Sequence, residues 1–98
     1  MPVFVGVCRF ELWIDDNESL KGKRSVVKRT IQRTRNRFNC AMAEVDDNDI
    51  LTRAVLAYTV VGNERRFVNS MISKINDFIE DLGTAPVGYV VFEIDQYD

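Results

Sequence analysis

The chain has 98 residues, 46% hydrophobic and 29% charged, with a formal net charge of −2; this balance excludes a disordered or fibrous protein and predicts one compact domain over residues 1–98. Histidine is absent, which excludes His-based acid–base catalysis, Ser-His and Cys-His nucleophile pairs and nearly all zinc sites. No apolar run approaches the ~20 residues of a membrane helix, the opening Met1-Pro2-Val3 carries no secretory pattern, and two cysteines without CxxC spacing predict free thiols in a cytoplasmic protein.

Val3 to Ile14 is rich in β-branched and aromatic residues and is closed by Asp15-Asp16-Asn17, which predicts a first strand. Alternation assigns Phe4, Gly6, Cys8, Phe10, Leu12 and Ile14 to the core face. Ser19 is placed to cap a helix whose apolar stripe is Leu20, Val27, Ile31, Thr34 and Phe38, ending at Asn39. A short strand follows over Cys40 to Val45, then the turn Asp46-Asp47-Asn48-Asp49, then a third strand from Leu51 to Val61.

Asn63 is the expected N-cap of a second helix. Its stripe is Phe67, Met71, Ile75, Phe78 and Leu82, widened by Val68, Ile72 and Ile79, and Gly83 suits the position just past its end. A last strand runs from Tyr89 to Ile94. The order β-α-β-β-α-β, with each crossover right-handed, predicts an α+β ferredoxin-like sandwich: two helices on one face of a four-stranded antiparallel sheet. The other sheet face is left open and should display Val3, Val5, Val7, Trp13, Tyr89 and Val91.

Charge is strongly segregated. Between Ser19 and Phe38 stand Lys21, Lys23, Arg24, Lys28, Arg29, Arg33, Arg35 and Arg37 with no acid, leaving five bases against fifteen acids elsewhere. Lys21, Lys28 and Arg35 line one flank of the apolar stripe and Arg29, Arg33 and Arg37 form an i, i+4 ridge on the other, while Lys23 and Arg24 fall near the stripe edges, where their stems should snorkel. Like charges at i, i+4 and cations at the positive end of a helix dipole are unfavourable, so an anion would relieve them. A phosphate backbone is the leading candidate, because five of the eight are arginines, whose planar fork grips phosphate in two places. Pairing with the acidic turns of the chain itself, association with a second copy, and a different anionic ligand remain open.

Other signals are weaker. The third strand lacks the glycine and paired aromatics of a single-stranded RNA reader on this fold, so the open aliphatic face points to self-association. The acidic run at 46–49 lacks the spacing of a calcium loop, and Cys8 and Cys40 suit small core positions. With no glycine-rich phosphate loop, ligand cluster or nucleophile–base pair, the chain is expected to be no enzyme and to take no cofactor or metal.

Five segments carry a family resemblance: Phe4-Val5-Gly6-Val7-Cys8, Phe10-Glu11-Leu12, Ser19-Leu20-Lys21-Gly22-Lys23-Arg24-Ser25-Val26-Val27-Lys28, Arg35-Asn36-Arg37-Phe38-Asn39 and Ala43-Glu44-Val45-Asp46. In this order they resemble the YlxP-like family of small bacterial proteins of unknown function. The resemblance implies a ferredoxin-like fold and no established enzymatic activity. It also implies genes beside those of translation initiation and ribosome maturation factors, and hence ribosomal RNA or the ribosome as the partner of the basic helix.

Overall fold

A computed structural model describes residues 1–98. Its elements are β1 (Phe4–Trp13), α1 (Leu20–Arg37), β2 (Ala41–Asp46), β3 (Arg53–Gly62), α2 (Arg65–Leu82) and β4 (Val87–Gln96). The strands form one antiparallel sheet in the order β2-β3-β1-β4. This is the ferredoxin-like arrangement, with both helices on one face.

The parity expected for β1 holds. Gly6, Cys8, Phe10 and Leu12 are buried, Phe4 and Ile14 pack at the margins of the core, and Cys8 and Phe10 face Tyr58 and Leu56 of β3 in register. Gly6 is required by proximity: an added Cβ would lie 2.7 Å from both Ile72 Cδ1 and Val68 Cγ1 of α2. The bare backbone there lets α2 settle onto the sheet.

The second helix departs from expectation in two places. Its N-cap is Glu64, one residue after Asn63, and no side chain caps it; the backbone carbonyl of Glu64 accepts the Val68 N–H instead. Its buried line is Val68, Ile72, Ile75 and Ile79, so Phe67, about 100° around the helix from Val68, is 50% exposed and rests against Gly62. Gly83 ends the helix at φ 65°, in the left-handed region where glycine carries no Cβ penalty.

In α1 the Ser19 hydroxyl accepts the Gly22 N–H at 3.0 Å, as expected of a cap. The side facing the sheet is Lys23, Val27, Thr30 and Thr34, with Leu20, Ile31 and Phe38 half-buried beside it. Three of those four side chains are polar, and each has a hydrogen-bond partner. Thr30 donates to the Val26 carbonyl at 2.9 Å and meets the Thr84 hydroxyl at 2.7 Å, and Thr34 donates to the Thr30 carbonyl at 2.7 Å.

The open face of the sheet carries Val5, Val7, Ala57, Val61, Val91 and Trp13, with Ala41 and Ala43 from β2. Arg9 crosses it to Asp46 at 3.3 Å. A register shift between Phe10 and Leu12 opposite β4 marks a bulge near Tyr89, and β4 extends two residues beyond each predicted end.

Candidate nucleic-acid interface

The helix α1 lies over β2 and β3, and α2 lies over β1, β3 and β4. The two helices meet where the Phe38 and Phe78 rings stack edge to face, 5.5 Å apart. One flank of α1 therefore faces α2 and the opposite flank faces the β2 edge of the sandwich.

At about 100° per residue, Lys21, Arg24, Lys28 and Arg35 fall on the β2-side flank of α1. Arg29, Arg33 and Arg37 fall on the α2-side flank, with Arg37 held over the Phe38 and Phe78 rings at 5.9 and 6.0 Å. All seven are exposed, and none forms an ion pair with a carboxylate of the chain.

The eighth cation corrects the sequence reading. Lys23 does not snorkel to water: its side chain is 1% exposed, beneath the start of α1. Its ammonium donates to the Asp47 and Ile50 carbonyls, the latter at 2.7 Å, and lies 3.1 Å from the Glu44 carboxylate. With its protons aimed at the carbonyls, it leaves the buried Glu44 Oε2 with an ionic contact and no aligned hydrogen bond. Lys23 is thus a structural clamp between α1 and the β2–β3 hairpin, closed off from any phosphate.

The acidic hairpin has partners other than the arginines of α1. Asp46 pairs with Arg9 of β1, and Asp47 takes the Arg53 Nε at 2.6 Å. The Asp46 carboxylate also accepts the Asp47 N–H at 2.8 Å, Asp47 stands at φ 57°, and the Ile50 N–H donates to the Asp47 carbonyl at 3.0 Å, so the segment is a turn, as its composition predicts. The Asp15–Glu18 turn is anchored by Asn17, whose amide donates to the Ser19 and Leu51 carbonyls at 2.7 and 2.6 Å. No three His, Cys, Asp or Glu side chains gather as a metal-binding set.

Sequence reasoning passed over what lies between the two cationic rows. Ser25, Gln32 and Asn36 share the outermost crest of α1, all exposed and none hydrogen-bonded within the protein through its side chain. The same projection that locates the rows locates this strip. It went unread because uncharged polar residues on a surface helix carry no signal by themselves.

Both thiols sit where burial disfavours the thiolate. Burial pushes the Cys8 thiol up, opposed by hydrogen bonds with Tyr58 and Asn76, and burial likewise raises Cys40 against the nearby Arg35 charge. Tyr58 is raised by the same desolvation; its hydroxyl donates to Asn76 Oδ1 at 2.7 Å.

Residues 5–90 match the family described as "Protein of unknown function (DUF503)". A Bacillus subtilis (strain 168) relative described as "Uncharacterized protein YlxP" is 30% identical over 76 residues, covering 78% of this chain and 83% of the relative. Among solved structures, the de novo designed protein Foldit4 superposes with a TM-score of 0.54 at 11% identity, covering 98% of this chain and 97% of the design. A second design with ferredoxin fold gives 0.50 at 18% identity, covering 97% and 85%. At these identities the designs bear on the fold alone. The chain belongs to the DUF503 family.

Proposed function

We propose that this DUF503 protein is a non-enzymatic RNA-binding or ribosome-associated protein of the cytoplasm, docking on phosphate backbone through α1. The observation that supports this is the state of the seven cations Lys21, Arg24, Lys28, Arg29, Arg33, Arg35 and Arg37: they stand in solvent, unpaired, in a chain with an excess of acids. Intramolecular neutralisation, the main competing explanation, would require carboxylates within about 4 Å of these cations, whereas the three carboxylates that form ion pairs, Asp46, Asp47 and Glu44, take Arg9, Arg53 and Lys23. Binding of this kind is sequence-tolerant, and any selectivity comes from RNA shape.

The test is titration of ribosomal RNA fragments across a salt series. If about five cations meet phosphates of a single strand, log K against log[salt] falls with a slope near −3.5, in proportion to contacts made. A flat dependence, or no binding below about 100 mM salt, overturns the proposal. Arg29→Glu with Arg33→Glu should weaken binding to every sequence while circular dichroism stays unchanged.

A second reading is self-association through the open sheet face, favoured by the exposure of Val7, Trp13, Val61, Tyr89 and Val91. Sedimentation at low and high salt separates the two readings. A salt-resistant dimer without RNA affinity supports the sheet face as an interface.

A further inference from the structure

We propose that the polyanion taken by α1 is double-stranded RNA, with the helix lying lengthwise in the shallow minor groove and Gln32 and Asn36 contacting 2′-hydroxyls. This rests on the reading of α1 as a phosphate-docking surface and names the form of nucleic acid that surface fits.

The first support is the doubling of the cationic rows. Lys21, Arg24, Lys28 and Arg35 on the β2 side and Arg29, Arg33 and Arg37 on the α2 side centre about 150° apart around the axis. On a helix about 10–12 Å across, that separates the rows by roughly 10 Å before side-chain reach is added. A single strand presents one line of phosphates and meets both rows only by crossing the crest of the helix. Two strands flanking a groove present two lines, one for each row.

The strip between the rows is the second support. Ser25, Gln32 and Asn36 each carry both donor and acceptor capacity, are exposed and are unused within the protein. They stand where a groove floor would meet the crest of α1. A 2′-hydroxyl is likewise donor and acceptor, and the A-form minor groove displays it in a wide, shallow trough.

The third support is the embedding of α1. Its buried side, Lys23, Val27, Thr30 and Thr34, is packed on the sheet, and α2 stands beside it. Only the crest and flanks project, a profile suited to a shallow groove and excluded from the deep, narrow A-form major groove. The B-DNA major groove also admits helices, and Asn and Gln pair there with adenine, so the matching DNA duplex is the arm of the test that separates the two forms.

The experiment measures fluorescence anisotropy of the full chain with three probes of one sequence: a 20-base-pair RNA duplex, its single strand, and the matching DNA duplex. The RNA duplex should bind at least tenfold tighter than either alternative. Gln32→Ala with Asn36→Ala should bring RNA-duplex affinity down to that of DNA, leaving DNA-duplex binding and the thermal midpoint unchanged. Arg33→Ala should instead weaken all three. Equal affinity for single strand and duplex, or an RNA-to-DNA ratio unmoved by the Gln32/Asn36 variant, overturns the proposal while phosphate docking stands. Failure of all three probes to bind overturns both.

Discussion

The Lys23 ammonium lies 3.1 Å from the Glu44 carboxylate, joining α1 to β2 beneath the surface that carries the other seven cations. The same nitrogen donates to the Asp47 and Ile50 carbonyls, so one side chain holds the helix start, the second strand and the acidic turn together. An ammonium so satisfied is stable where an isolated buried charge would not be.

Removing it should therefore destabilise the fold without touching the interface. Lys23→Ala leaves Glu44 uncompensated and two carbonyls unpaired, a loss of about 2–3 kcal/mol. The loss falls below the range for fully buried pairs because the Glu44 side chain keeps 22% of its surface in water. Urea midpoints report the loss. Polyanion affinity of the variant, measured where it remains folded, should match the parent, in contrast to any substitution among the exposed arginines.

Arg33 has an arginine four residues away on each side, Arg29 and Arg37. Arg33→Glu converts two repulsions into two attractions and should raise stability by roughly 0.5–1 kcal/mol at low ionic strength. The gain should shrink at about 1 M salt, where exposed charges are screened beyond about 3 Å. A variant more stable yet weaker in polyanion binding would show that the cationic face is retained at the expense of the fold. An unchanged or lower urea midpoint at low salt would contradict this.

At Gly6 the backbone of β1 lies against α2 with no room for a side chain. Gly6→Ala places a methyl 2.7 Å from Ile72 and Val68 side-chain carbons, and overpacking of this kind costs about 1–3 kcal/mol. Chemical denaturation should show the loss, and the smaller neighbour in Gly6→Ala with Ile72→Val should restore part of it.

Stability should fall in alkali. Burial raises the Cys8 thiol and the Tyr58 hydroxyl above their ordinary values, so the folded chain keeps protons that the unfolded chain releases from about pH 8.5 upward. The unfolded state then binds fewer protons, and unfolding free energy decreases with pH. The stabilisation is complete below about pH 8.5 and is lost progressively above it. Thermal midpoints across this range should decline, and Cys8→Ala should flatten the first part of the decline; a midpoint constant to about pH 10 would refute the assignment.

Element order, the buried parity of β1, the Ser19 cap and the segregation of cations onto α1 were all legible in the chain itself, because each is written as a local period or a short spacing. A strand alternates every two residues and a helix returns every 3.6, whatever surrounds them. The Glu64 cap and the exposure of Phe67 fell outside that legibility: neighbouring residues compete for one position, and packing of α2 on Gly6 decides which turns inward.

Ion pairing belongs wholly to the tertiary structure. Lys23 and Arg24 are adjacent cations of equal standing in the sequence, yet one is sealed under α1 and the other is in water. Asp46 and Asp47 were equally available on paper to the basic helix, and the sheet order instead delivers Arg9 and Arg53 to them. Charge is fixed by residue type, whereas a salt bridge requires two groups within about 4 Å. Only the chain's long-range folding brings such groups together, and it left seven cations of α1 facing solvent.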